Sequence, residues 1–319
     1  MSLRILVTGA SGFVGGAFLR RFQGRPGVEI HGIGRRASAL PDYHRIDLSQ
    51  PFALDWQPDV VIHAGALASP WATRAQFHRH NVQATANVID FCTRHGCPRL
   101  LYVSSSSVFY REEHQYDLDE DSPIGPAFVN TYAQTKYLGE TLLETYPGQW
   151  SVLRPRAVFG PGDTVLFPRV IAAARKGALP RFVGQTQPVI GDLIYIDALC
   201  DYLYRAATAP QLQRAYNLTN AQPVDVQQLL LDVLARLHVP LPQREVRIGT
   251  ALRMASVVEV AYRLLRLRSE PPITRFGVGV FAYSKTFNPQ RTLADLGPPS
   301  VGLDEGVEAF VRWQATQWA

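Results

Sequence analysis

The chain has 319 residues, enough for one large domain or two small ones with a real core. Lys+Arg number 32 against 27 Asp+Glu, so the net charge of +5 is too small and scattered to point to nucleic acid. Apolar residues make up 46% and charged residues 18%, which excludes a disordered chain, and no run of eighteen apolar residues could form an integral membrane segment.

Three cysteines (Cys92, Cys97 and Cys200) cannot build a disulfide framework. They point to a reducing, cytoplasmic setting. The apolar start around Ile5 contains Thr8 and Gly9 and lacks a signal-peptide layout. Lys136, Lys176 and Lys285 are the only lysines, all other basic residues being arginine or histidine.

The first half alternates short apolar runs with helical patterns. Arg4–Thr8, Val28–Ile33, Asp59–Ala64, Leu100–Ser104 and Val152–Arg154 read as strands, and Val14–Phe22 reads as the first helix. Continuous apolar strands separated by helices predict a parallel sheet covered on both faces. The fold class is therefore α/β, a Rossmann-type doubly wound parallel sheet.

The second half changes character. Prolines and glycines cluster at Pro155, Gly160-Pro161-Gly162, Pro180 and Pro188. Helical patterns cover Val165–Lys176, Ala198–Ala207, Val226–Leu237 and Thr250–Arg268. The expected division is a dinucleotide-binding domain over 1–160, regained around 188–220, and a smaller, mostly helical substrate domain over 161–319.

Thr8 to Gly15 follows the first strand and opens the first helix. Gly9 permits a tight turn, Gly12 removes the Cβ that would hold a pyrophosphate off the backbone, and Gly15 lets helix and strand pack closely. The helix N-terminus offers free N–H groups and partial positive charge to phosphates. The spacing is G-x-x-G-x-x-G, and its position between strand and helix predicts a dinucleotide site. The second strand ends Gly34-Arg35-Arg36, with no carboxylate to grip ribose hydroxyls. Arginine presents a fork suited to a phosphate, so NADP is expected, with NAD as the other choice. Asp47-Leu48 is expected on the adenine side.

Tyr132 and Lys136 are four residues apart, on one face of a helix. A free phenol titrates near about 10, and a neighbouring ammonium is expected to lower it toward neutrality. Tyr132 would then move a proton at a substrate oxygen while a nicotinamide exchanges a hydride. Four serines, Ser104–Ser107, stand at the carboxyl end of a strand, where ligands bind in open sheets.

Together these stretches resemble the extended short-chain dehydrogenase/reductases of the epimerase/dehydratase superfamily. The likeness extends to His63-Ala64-Gly65-Ala66, Asn81-Val82, Arg154-Pro155, Gly160–Asp163 and Tyr195-Ile196-Asp197. It implies Ser105, Tyr132, Lys136 and Asn81 as catalytic, with Asn81 supporting a water near the lysine. It implies a cofactor held by Gly9, Ser11, Gly12, Phe13, Val14, Gly15, Arg35, Arg36, Asp47, Leu48, Ala64, Gly65, Ala66, Tyr132, Lys136, Pro155 and Val158. It also implies a homodimer formed through helices near Asn81 and Tyr132.

Gly162–Pro168, Gly177–Gly184 and Glu270–Phe276 resemble the 3β-hydroxysteroid dehydrogenase, sterol-4-carboxylate dehydrogenase and 2-alkyl-3-oxoalkanoate reductase branch. That branch implies a ketone–alcohol oxidoreductase acting on a fairly apolar small molecule, a β-keto acid or steroid-like compound. One alternative is a nucleotide-sugar 4-epimerase or dehydratase. The missing arginine before Tyr195 and the serines at Ser106 and Ser107 weigh against it. The other alternative is a dinucleotide-binding protein without turnover.

The apolar pattern Leu252, Met254, Val257, Val258, Val260, Leu264, Leu265 and Leu267 reads as a helix that is buried, a lid over substrate, or a peripheral membrane contact. His78 and His80 are two apart and have no partner spaced for zinc, so no metal is expected.

Overall fold

In the computed structural model, residues 2–318 are described apart from 70, 266, 268 and 270. Seven strands build the main sheet: β1 (Leu3–Thr8), β2 (Val28–Gly34), β3 (Tyr43–Arg45), β4 (Val60–His63), β5 (Arg99–Val103), β6 (Trp150–Pro155) and β7 (Ala215–Leu218). Their order is β7-β6-β5-β4-β1-β2-β3, and every pairing is parallel. The strand order reverses at β1 and β4. Open α/β sheets bind ligands outside the carboxyl ends of their strands at such a switch point.

Side-chain alternation assigns the two faces. Ile5 and Val7 of β1 join a core with Phe18, Leu199 and Leu203, while Leu6 joins Val61, Val88, Phe91 and Tyr102 on the other side. Both faces are covered, which is why all four residues of β4 and all six of β6 are buried.

The chain beyond β6 is less helical than the sequence suggests. Three short strands there, Ile190–Gly191, Val224–Asp225 and Lys285–Phe287, join Gln115–Leu118, which precedes β6, in a second, mixed sheet. Strands of two to four residues carry too little alternation to stand out from turns.

The apolar helix runs Ile248–Leu264, and Arg266, Arg268 and Glu270 lie outside the described residues. It is not a buried helix. Only Ala251 and Ala255 are fully covered, against Phe182 and Val278. Met254, Val257, Val260 and Leu264 face outward, with Leu264 77% exposed. Past its C-terminus the chain meets the loop after β4, where the Trp71 indole N–H donates to the Leu267 carbonyl at 3.3 Å. No helix among the described residues is long and apolar enough to cross a membrane.

Candidate active site

The glycine loop is closed by sterics. Gly9 has φ +70°, and a Cβ there would lie 2.7 Å from Gly65 Cα. A Cβ on Gly15 would lie 2.5 Å from the Gly9 carbonyl oxygen. These two positions bring β1, β4 and the first helix, Phe13–Phe22, into backbone contact. Gly12 precedes that helix and no side chain caps it, so Phe13 and Val14 present amide groups to an anion.

Arg36 and Arg20 line a cleft of about 390 Å³ with Ala10, Ser11, Gly12 and Ser38. Arg36 donates to the Ser11 carbonyl, and the Tyr43 hydroxyl donates to the Arg36 carbonyl. Arg35 turns away and meets His80 at 3.2 Å. Asp47 accepts from the Ser49 N–H at 3.0 Å and lies 3.8 Å from Arg79, while the Leu48 carbonyl accepts from Asn87 at 2.8 Å. Ala64, Gly65 and Ala66 continue β4 on the same edge, and Pro155 ends β6. Val158 begins a short strand paired with Ile194–Tyr195. A glycine cradle with no room for a Cβ, open amides and two arginines fit a dinucleotide.

Tyr132 and Lys136 lie on the helix Thr131–Leu142, capped by the Asn130 side chain on the Ala133 N–H at 2.8 Å. Lys136 is 2% exposed, and its Nζ donates to the Val103 carbonyl at 2.7 Å, 4.1 Å from the centre of the Tyr102 ring. Burial draws this lysine down to about 7, and Glu140, one turn on, pulls the other way. Burial pushes the Tyr132 phenol up to about 12, with Ser105 as hydrogen-bond partner acting against it. The expected lowering of Tyr132 by Lys136 is not seen, because the ammonium is turned toward the β5 carbonyl. The Ser105 hydroxyl also meets Ser107 Oγ at 2.9 Å and accepts the Ser107 N–H at 3.2 Å.

Asn81 sits in a π-helical turn, His78–Gln83, and is 1% exposed. Its Oδ1 accepts from the Leu67 N–H at 2.7 Å, and its Nδ2 donates to Thr135 Oγ1 at 3.0 Å. It therefore joins the loop after β4 to the residue before Lys136.

A buried chain missed in the sequence runs beside it. The Gly65 N–H donates to Thr8 Oγ1 at 3.1 Å, and Thr8 meets His63 Nδ1 at 2.7 Å. His63 Nε2 meets Thr85 Oγ1 at 3.0 Å, and Thr85 donates to the Asn81 carbonyl at 2.5 Å. With both ends of this chain fixed, His63 must carry its proton on Nε2. Burial and the nearby Lys136 pull its pKa down to about 3, so it stays neutral. Under the Tyr132 helix, Glu140 pairs with Arg154 through two bonds, Nε–Oε1 at 3.1 Å and Nη2–Oε2 at 2.8 Å, and accepts from Ser104 at 2.5 Å. The missed signals were the identities themselves: a histidine inside an all-buried strand and an acid four residues after the lysine.

Comparison with known proteins agrees with this geometry. Residues 5–219 match the NAD dependent epimerase/dehydratase family. The chain is 34% identical to a 2-alkyl-3-oxoalkanoate reductase of Stenotrophomonas maltophilia, covering 96% of this chain and 97% of that one. It is 27% identical to the decarboxylating sterol-4-alpha-carboxylate 3-dehydrogenase of Schizosaccharomyces pombe, covering 98% and 97%. Among solved structures, the Bordetella bronchiseptica enzyme WbmH in complex with NAD+ aligns at TM-score 0.75 with 20% identity, covering 98% of each chain, which is a likeness of fold. The chain belongs to the NAD dependent epimerase/dehydratase family and is an NAD(P)-dependent oxidoreductase of the extended short-chain dehydrogenase/reductase type.

Proposed function

We propose that the protein is an NADP-dependent oxidoreductase that interconverts a ketone and a secondary alcohol on a fairly apolar β-keto acid or steroid-like substrate. The observation that carries this reading is Ser105 at the carboxyl end of β5, beside the Tyr132 phenol and one turn of helix from a buried lysine. Tyr132 gives its proton to the substrate oxygen, and the Ser105 hydroxyl holds that oxygen in place. Lys136, one turn on, is anchored by its Nζ on the Val103 carbonyl, and Asn81 fixes the residue before it through Thr135 Oγ1. A phenol that titrates near 12 donates a proton readily only when the oxygen it meets becomes strongly basic, which suits a developing alkoxide. When bound, the nicotinamide supplies a hydride to the carbon bearing that oxygen.

Arg36 and Arg20, beside the glycine loop with no acid at the end of β2, support NADP. The names of the two curated relatives support the substrate class. The same reading places a homodimer in the cytoplasm, consistent with three unbridged cysteines.

The test is steady oxidation of NADPH or NADH with a panel of 2-alkyl-3-oxoalkanoates and keto-steroids. A lower Michaelis constant for NADPH and turnover on at least one ketone are expected. A clear NADH preference overturns the NADP assignment, and no turnover on any ketone overturns the substrate class.

A further inference from the structure

Three charged side chains are buried together between β6 and the second sheet. Arg156 is 7% exposed, Lys285 5% and Asp192 1%. Burial raises the Asp192 carboxyl to about 6 and lowers the Lys285 ammonium to about 8. Asp192 Oδ2 accepts the Phe287 N–H at 2.9 Å, but among the described residues its Oδ1 has no hydrogen-bond partner, and neither has Arg156 Nε. Lys285 donates only to backbone, to the carbonyls of Glu113 and of Ser284, the latter at 3.4 Å. Both cations approach one ring: the Arg156 guanidinium carbon lies 5.1 Å and Lys285 Nζ 5.9 Å from the centre of Tyr110.

The charges do not balance. Asp192 is the buried carboxylate beside Arg156, whereas the carboxylate acting on Lys285 is Glu113, whose side chain is 58% exposed and 3.8 Å from Arg111, so the buried cations outnumber the buried carboxylates. An uncompensated buried charge costs several kcal/mol, and a group with unfilled donors in such a place is completed by a ligand of opposite sign.

The cluster adjoins the candidate active site at two points. Arg156 follows Pro155, at the carboxyl end of β6. The Tyr110 hydroxyl meets Ser106 Oγ at 3.2 Å, and Ser106 follows Ser105.

We propose that Arg156 and Lys285 bind a carboxylate that the substrate carries beside its reacting carbonyl. The proposal rests on the ketone–alcohol reading and narrows it to an acidic substrate. One leftover positive charge matches a carboxylate, and the guanidinium fork donates to its two oxygens. Both curated relatives are named for compounds in which a carboxyl group sits one carbon from the oxygen-bearing carbon.

The experiment compares a 2-alkyl-3-oxoalkanoate, freshly released from its methyl ester, with the methyl ester itself. For the wild-type protein kcat/KM is expected to favour the acid by roughly 30-fold, the low end of the cost of stripping one partner from a buried charged pair. Arg156→Met and Lys285→Met should each pull that ratio toward one, mainly through KM, and Arg156→Lys should restore part of it. Thermal melting and NADPH fluorescence show which variants are folded; Lys285→Met and Arg156→Lys decide the matter if Arg156→Met is not. Equal use of acid and ester by the wild type, or a ratio unmoved in the folded variants, overturns the proposal while leaving the oxidoreductase reading intact. Calorimetry with 2-methyldodecanoate and its methyl ester on NADP-loaded protein reads the subsite without turnover. Carboxylate binding without any ketone reduction would retain the subsite and reject the ketone reading; equal binding of the two would reject the subsite.

Discussion

Two buried charged clusters lie on either side of the Ser105–Tyr132 pair, and they are built on opposite terms. Under the Tyr132 helix, the Glu140 carboxylate is held by Nε and Nη2 of Arg154 and by Ser104, so both of its oxygens are filled. Beyond Ser106, Arg156 and Asp192 keep unpartnered atoms, and Lys285 bonds only to backbone. The difference separates scaffolding from reception. A closed network holds a helix in one position. An open one stores charge that only an incoming group can complete.

The sharpest break of this comparison is chemical. Tyr132→Phe keeps the packing of both clusters but removes the proton donor, so kcat should fall about 10³-fold with NADPH binding unchanged. Rate assays and a fluorescence titration check it; retained turnover removes Tyr132 from its role. Next in size is Glu140→Gln, which leaves Arg154 buried with its charge uncompensated. Unfolding in urea should show a loss of about 3 kcal/mol.

His63 tests the closed side through pH. Its pKa is about 6.5 unfolded and about 3 folded, so between those values the unfolded chain binds the extra proton. Stability from this group is therefore intact above pH 6.5 and falls as the pH drops, by about 1.4 kcal/mol per unit within the window. His63→Gln should remove that component of the acid slope; an unchanged slope would mean His63 is protonated in the fold. The smallest effect reverses the sign. Lys285→Met takes an unpaired cation from the open cluster and should stabilise the protein by about 1 kcal/mol at pH 7, where Glu140→Gln destabilises it. Destabilisation by both would erase the distinction between the clusters.

Much of this molecule was legible in the chain. The glycine loop, the buried strands β1, β4, β5 and β6 and the Tyr132–Lys136 turn each declare themselves within a few neighbouring residues. What stayed hidden depends on partners far apart: Thr8 with His63, Arg154 with Glu140, and Lys285 with Arg156 across more than a hundred positions. Periodicity carries no record of such pairings. Lys136 declares itself by its spacing from Tyr132, whereas Lys285, one of only three lysines, has no such neighbour to mark it. The apolar helix left three readings open, because composition alone does not say what covers it, and the structure removes only full burial, since Ala251 and Ala255 are its fully buried residues.

That shallow contact has a consequence for how the protein opens. The Ile248–Leu264 helix packs in a small cluster that meets the larger core through Phe281. Its tethers are the Trp71–Leu267 bond and Arg275, which donates to Ser256 at 2.7 Å and to Glu112. Its backbone amides should exchange with deuterium through local release, at a free energy well below that of β1 or β4, and a protease should cut here while the sheet stays folded. The Ile248–Leu264 helix thus adds little to the packing that holds the sheet, so its release and the stability of the fold are set by different parts of the molecule.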